Sequence, residues 1–164
     1  MGFGEAIQTC LKKFGKFSGR ASRSEYWWFY LFITLLSIAA AVIDVLLFGA
    51  KAGETGVLGG IVSIVTLVPS LAVTSRRLHD TDRRGWWMLL PVAAITPFVI
   101  YIALKFGSET PPSGPAGAVI GVTILIALVT IGLLLYWLIK RGTQGANRFG
   151  PDPLGTAADV EGVF

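Results

Sequence analysis

The sequence predicts an all-α integral membrane protein, a four-helix bundle preceded by an amphipathic helix lying in the membrane interface. Three observations predict it. First, the 164 residues are 53% hydrophobic and only 15% charged, whereas soluble domains are roughly 25% charged. Second, the apolar residues gather into four stretches, Tyr26–Phe48, Thr55–Ser75, Gly85–Leu104 and Thr110–Ile139, that together hold a single charge, Asp44. A helix rises about 1.5 Å per residue, so roughly 20 apolar residues cross a hydrocarbon core about 30 Å thick. Third, the basic residues alternate between connections. All of them except Lys51 and Lys105 fall in the amino-terminal segment, the second connection or the tail.

The first element is the interfacial helix, residues 2–17. Phe3, Ile7, Cys10, Leu11, Phe14 and Phe17 recur at helical spacing, while Glu5, Gln8, Lys12, Lys13 and Lys16 face elsewhere. A short basic amphipathic helix joined to a membrane span lies along the surface, its lysines over anionic headgroups. Ser22-x-x-Glu25 then has capping-box spacing and marks the start of the first membrane helix, residues 26–48. That stretch is too long and begins too late for a cleaved signal core. A Gly-rich turn, Gly49–Gly56, leads into the second helix, residues 56–75, making an antiparallel hairpin. The third helix occupies residues 86–104. Pro69 in the second span, and Pro91 and Pro97 in the third, remove amide donors and favour bends. An irregular connection over Ser108–Pro115 precedes the fourth helix, residues 117–139. Gly56-x-x-x-Gly60 and Gly117-x-x-x-Gly121 have the spacing that lets helices approach closely. The membrane domain is expected to end at residue 153, after a tail motif at 147–153, with residues 154–164 flexible.

Basic residues are enriched in cytoplasmic loops. Four crossings return every basic cluster to the cytoplasm with both termini inside, whereas three would translocate Lys140, Arg141 and Arg148. The five Trp residues are expected to lie at the cytoplasmic boundary as interfacial anchors. The lone Cys10 excludes an internal disulfide and a multi-cysteine metal site.

The candidate functional residues cluster in the charged segments. Ser75–Trp87 is expected to form a dense charged link between the second and third helices. Every arginine falls on the expected cytoplasmic side, at Arg20, Arg23, Arg76, Arg77, Arg83, Arg84, Arg141 and Arg148. The planar, permanently charged guanidinium suits phosphate or carboxylate. These arginines either form a pocket for a lipid headgroup or pair with Glu25, Asp80, Asp82 and Asp152 to clamp the helix ends. His79 beside Asp80 has the composition of a base and its orienting carboxylate, but no nucleophile motif accompanies them. Asp44 is an ionisable group within a span and a candidate for ion or proton handling, though it lies only about 6 Å from the helix end at 1.5 Å per residue.

Three motifs carry a family resemblance. Gly19-Arg20-Ala21-Ser22-Arg23-Ser24-Glu25-Tyr26-Trp27 is the first. Ser70-Leu71-Ala72-Val73 leading to Arg76-Arg77-Leu78-His79-Asp80-Thr81 and Gly85-Trp86-Trp87 is the second, and Asn147-Arg148-Phe149-Gly150-Pro151-Asp152-Pro153 is the third. In this order they resemble the DUF805 family of small bacterial inner-membrane proteins. The resemblance implies a location in the bacterial plasma membrane and no particular activity.

The resulting expectation is a non-enzymatic membrane protein that needs neither cofactor nor metal. Its binding cluster, whether for lipid headgroups or internal ion pairs, comprises Arg20, Arg23, Glu25, Arg76, Arg77, His79, Asp80, Arg83, Arg84, Asn147 and Arg148. Anionic membrane lipids are the expected partners. A second copy or another membrane protein is a further candidate, and no nucleic acid is expected. The alternative is a small transporter or channel subunit using Asp44 and the proline-bent helices.

Overall fold

The computed structural model of the chain describes residues 1–49, 56–105 and 115–155. The connections expected around Lys51–Glu54 and residues 108–114, and most of the expected flexible tail, lie outside the described residues. The described residues form five α-helices: α1 (Phe3–Lys12), α2 (Arg23–Phe48), α3 (Val57–Asp80), α4 (Leu90–Lys105) and α5 (Pro115–Ile139). A 3-10 turn, Gly85–Leu89, precedes α4. Four stretches are helical, long and apolar enough to cross a membrane: Arg23–Phe48, Val57–Asp80, Gly85–Ala103 and Gly117–Ile139. The chain divides into two compact units, Met1–Gly85 with Arg141–Phe164, and Trp86–Lys140.

In the first unit α2 packs along α3, and α1 packs against the start of α2. Ser22 caps α2, its hydroxyl accepting from the Glu25 amide at 3.2 Å. The reciprocal half of the expected capping box is missing, because the Glu25 carboxylate turns inward to Arg76 and Cys10. Gly49, at φ 58°, ends the helix and donates its amide to the Val45 carbonyl. That backbone conformation suits a residue without a Cβ.

α3 opens at Gly56, which has no side chain to cap it. Asp44 of α2 supplies the cap instead, accepting from the Leu58 and Gly59 amides at 3.2 and 3.0 Å. Inside α3 the hydroxyls of Ser63, Thr66, Ser70 and Thr74 each donate to the carbonyl four residues back. Polar side chains in a span are thereby satisfied without water. The Tyr30 hydroxyl of α2 bonds Thr74 at 3.2 Å, adding a polar tie between the two helices. α3 continues through Pro69 as one helix.

α1 is shorter than expected, ending at Lys12 rather than residue 17. It buries its small residues, Ala6 and Cys10, while Phe3, Leu11, Phe14 and Phe17 stay exposed. α3 is longer than expected and runs five residues past Ser75, so Arg76–Asp80 form a helix end rather than a loop. The physical reason is pairing: with carboxylates and backbone groups around them, these side chains are buried in protein and have no need of a solvated link. The link that remains is Thr81–Arg84.

In the second unit α4 packs against α5. The stacked rings of Trp86 and Trp87 lie 4.5 Å apart, and Trp87 meets Trp137 edge-on at 5.5 Å. Trp137 is buried, so it packs within the protein and is not the interfacial anchor its position suggested. Trp27, Trp28 and Trp86 are exposed. A Cβ added at Gly60, Gly117 or Gly121 would meet nothing within 4 Å, so those small-residue spacings do not form a tight seam among the described residues.

Candidate functional site

The charged end of the first unit is organised around two buried carboxylates. Asp80, in the last turn of α3, faces Arg20 and Arg77. The Arg20 Nε donates to Asp80 Oδ1 at 2.9 Å, and the Arg77 guanidinium pairs with Oδ2 across one turn of the helix. Arg20 and Arg77 are both buried. Arg20 spends its remaining donors on the carbonyls of Thr143, Gly145 and Gly150, and its guanidinium lies 3.9 Å from Asp152. One guanidinium thus joins the segment before α2, the end of α3 and the tail after Arg141. Lysine, a point charge with three donors, could not span these partners.

Glu25 is the second node. Its Oε1 accepts from the Arg76 guanidinium, and the Cys10 thiol donates to the same oxygen at 3.7 Å. Arg76 also approaches the Cys10 sulfur at 4.0 Å, while its buried Nε has no hydrogen-bond partner among the described residues. Burial pushes the Cys10 thiol up to about 12, with the Glu25 charge adding to the shift and Arg76 opposing it. The thiol is therefore protonated and unreactive while α1 is docked.

The end of α3 is closed by its own following residues, with the Thr81 and Arg83 amides donating to Leu78 O and the Asp82 amide to His79 O. Distant segments add further donors to its last carbonyls. The Ala21 amide donates to Arg76 O at 3.0 Å, and the Thr143 amide donates to Asp80 O at 2.8 Å. The Asn147 side-chain amide donates to His79 O at 2.9 Å. Asn147 also shapes its own turn: its Oδ1 accepts from the Phe149 amide, and its backbone exchanges paired bonds with Gly150, whose φ of 139° disfavours a side chain. This turn lays the Phe149 ring flat on the His79 imidazole, with centroids 4.0 Å apart. Gly142 runs so close to Asp80 that an added Cβ would fall on its carboxylate.

Of the sequence-predicted residues, Arg20, Glu25, Arg76, Arg77, His79, Asp80 and Asn147 are brought together in this lattice. His79 and Asp80 do not act on each other: the His79 Nδ1 bonds Gly19 O at 3.0 Å, while the Asp80 carboxylate serves arginines. Arg148 pairs with Asp82 at 2.9 Å on the surface and lies over the Phe149 ring. Arg23, Arg83, Arg84 and Arg141 are exposed around the lattice. Asp44 lies at the other end of the α2–α3 hairpin as the α3 cap. Among the described residues no group of three or more His, Cys, Asp or Glu side chains is placed to hold a metal. A polar cavity of about 220 Å³ beside the tail is lined by Asp80, Arg141, Thr143 and Asp152. Cys10, Gly142, Thr143 and Phe149 belong to the lattice but carried no signal as sites. Cys10 is an ordinary member of an amphipathic pattern, Gly142 acts through backbone approach, Thr143 through its backbone and hydroxyl, and Phe149 through ring stacking.

The family described as Protein of unknown function (DUF805) matches residues 14–151. The chain is 33% identical to Inner membrane protein YhaH of Escherichia coli (strain K12) over 143 residues, covering 87% of this chain and 91% of that protein. It is likewise 33% identical to Inner membrane protein YhaI of the same strain over 147 residues, covering 88% and 92% of the two chains. Uncharacterized protein YiiR of that strain is 28% identical over 143 residues, covering 83% and 84%. No solved structure matches the chain significantly.

Proposed function

The chain belongs to the DUF805 family of proteins of unknown function, and on that footing we propose that it is a non-enzymatic, multi-pass protein of the bacterial inner membrane that engages anionic phospholipid headgroups through exposed cations at its charged end. The observation that carries this reading is a division of labour among the arginines. Arg20, Arg76 and Arg77 are buried and committed to Glu25 and Asp80. Arg23, Arg84 and Arg141, with Lys12 and Lys16, are exposed. The buried set fixes the scaffold; the exposed set carries the charge that a phosphate can reach. Two relatives named as inner membrane proteins support the location. The concentration of basic residues at this end supports a cytoplasmic orientation for it, and with it for both termini.

The transporter alternative has less support, since both Asp44 oxygens are occupied by backbone amides of α3. The test is lipid retention. Protein extracted from a membrane of phosphatidylethanolamine and phosphatidylglycerol is expected to keep phosphatidylglycerol in native mass spectrometry. An Arg23→Gln, Arg84→Gln, Arg141→Gln variant that remains folded is expected to lose most of it. Wild-type protein carrying lipid in the proportions of the surrounding membrane contradicts the proposal.

A further inference from the structure

We infer that α1 is a lipid-dependent latch: anionic phospholipid bound across its outward face and the start of α2 holds α1 docked, with its inward face closed over the Glu25–Arg76 pair. The inference rests on the lipid reading above and names how that surface is regulated.

α1 has two faces of different chemistry. The inward face offers Ala6 and Cys10, both fully buried, and Cys10 bridges Glu25 and Arg76. Ile7 and Thr9 beside them are half-buried, and the rest of the helix is exposed, so most of its side chains stay open to lipid while it is docked. The outward face carries the large residues, Phe3 and Leu11, and continues into Phe14 and Phe17 beyond the helix, with Lys12 and Lys16 exposed beside them. That combination of exposed rings and lysines is the chemistry of a membrane-surface helix.

The outward face is also composite. Phe3 meets Trp28 of α2 edge-on at 5.8 Å, so the aromatic surface offered to lipid belongs to two helices. Arg23 is likewise exposed on α2. Undocking α1 would split this surface. A lipid that contacts both parts therefore binds the docked state better than the undocked one, which is the condition for a ligand to shift an equilibrium. Each basic residue near an anionic surface is worth about a fivefold change in affinity, so the lysines after Leu11 supply much of the dependence on lipid charge.

Cys10 reports the equilibrium. It is the only cysteine and is fully buried when α1 is docked, so a thiol reagent reads undocking directly. The full chain is reconstituted in vesicles of phosphatidylcholine alone, or of phosphatidylcholine and phosphatidylglycerol in equal parts, and labelled with a neutral maleimide. Labelling of wild type is expected to be at least about fivefold slower in the anionic vesicles, the lower end of ordinary coupling between sites. The Lys12→Gln, Lys13→Gln, Lys16→Gln variant experiences the same surface potential and is expected to lose that difference. Ala6→Leu, which blocks docking, sets the fully open rate. Equal wild-type rates in the two vesicles overturn the latch, as does a lysine variant that keeps the full lipid dependence. Retained phosphatidylglycerol with unchanged labelling removes the latch and leaves the lipid reading standing, whereas protein that retains no anionic lipid removes that reading itself.

Discussion

The α2–α3 and α4–α5 hairpins face the same problem, holding two apolar helices together where lipid is as apolar as the helices themselves. They solve it with different chemistry. α2 and α3 are tied at one end by Asp44, which caps α3 from its neighbour, and at the other by Arg76–Glu25, with a Tyr30–Thr74 bond between. In the α4–α5 pair rings meet instead, with Trp87, in the turn that opens α4, set edge-on to the buried Trp137 of α5. Directional polar bonds fix the rotation and register of a helix pair, because only one arrangement satisfies each of them. Ring and aliphatic contacts tolerate sliding at small cost. The first hairpin is thus the specified part of the molecule, and the experiments that follow either break that contrast or sharpen it.

The largest effect is expected at Asp80. Asp80→Ala removes the carboxylate that Arg20 and Arg77 share, leaving the buried Arg20 only the more distant Asp152 carboxylate and backbone carbonyls to offset its charge. Removing one side of a buried ion pair costs about 3–5 kcal/mol. Thermal unfolding in detergent is expected to shift strongly downward, and the tail after Arg141 to become open to proteolysis, since the Arg20 guanidinium that Asp80 holds in place binds the tail carbonyls. A variant with wild-type melting and a protected tail would show that the charged end contributes no more than the ring contacts of α4–α5.

The Glu25–Arg76 pair sharpens the contrast through a cycle. Glu25→Gln and Arg76→Met are each expected to cost about 3–5 kcal/mol, because each strands a buried charge. The double variant is expected to cost much less than the two together, since a well-packed apolar replacement of a buried pair is often close to neutral. Additive losses in the unfolding free energies would mean that the two side chains act separately.

How far this contrast was readable from residues alone follows the same division. Spans are written in composition: the uncharged runs and their basic flanks give the four long helices directly. The charged end was only half legible. Arg20, Arg76, Arg77 and their acids stand out as a cluster, but sequence distance gives no hint that Arg20 would reach Asp80 or that Glu25 would leave its cap for Arg76. Arginines near a span satisfy the topological rule whether they face lipid or protein, so the pattern alone could not separate buried from exposed ones. The same ambiguity placed Ser75–Asp80 in a loop, since a run of charges reads as solvated until its counter-ions from other segments are known. Asp44 looked like an intramembrane site for the same reason: the amides it caps lie across a turn, not beside it in sequence.

A smaller effect is expected in the ring-packed hairpin. Trp137→Leu keeps the position apolar but removes the edge-on contact with Trp87 and part of a buried side chain's volume. Such aromatic pairs are worth about 0.5–1.5 kcal/mol beyond their buried area, and the lost volume adds to that, so the loss in unfolding free energy is expected to be about 2 kcal/mol. A loss as large as that of Asp80→Ala would erase the distinction between the two hairpins.

The smallest effect is kinetic and concerns α1 at the charged end. Docking holds the Cys10 thiol protonated, raised from an ordinary 9.0 to about 12. A group favoured in its neutral form by docking contributes stability that is complete below its free value and is lost as pH rises toward the docked one. Docking of α1 is therefore fully supported below pH 9 and weakens progressively toward pH 12. Because the docked, protonated species dominates throughout, the small population of reactive thiolate keeps growing about tenfold per pH unit beyond the ordinary thiol range. Maleimide or iodoacetamide labelling of wild type is accordingly expected to climb without levelling from pH 7 to 10, whereas Ala6→Leu levels off near pH 9. A wild-type profile that flattens at the same pH as the variant would mean that Glu25, Arg76 and burial do not act on this thiol, and that α1 is not part of the specified end.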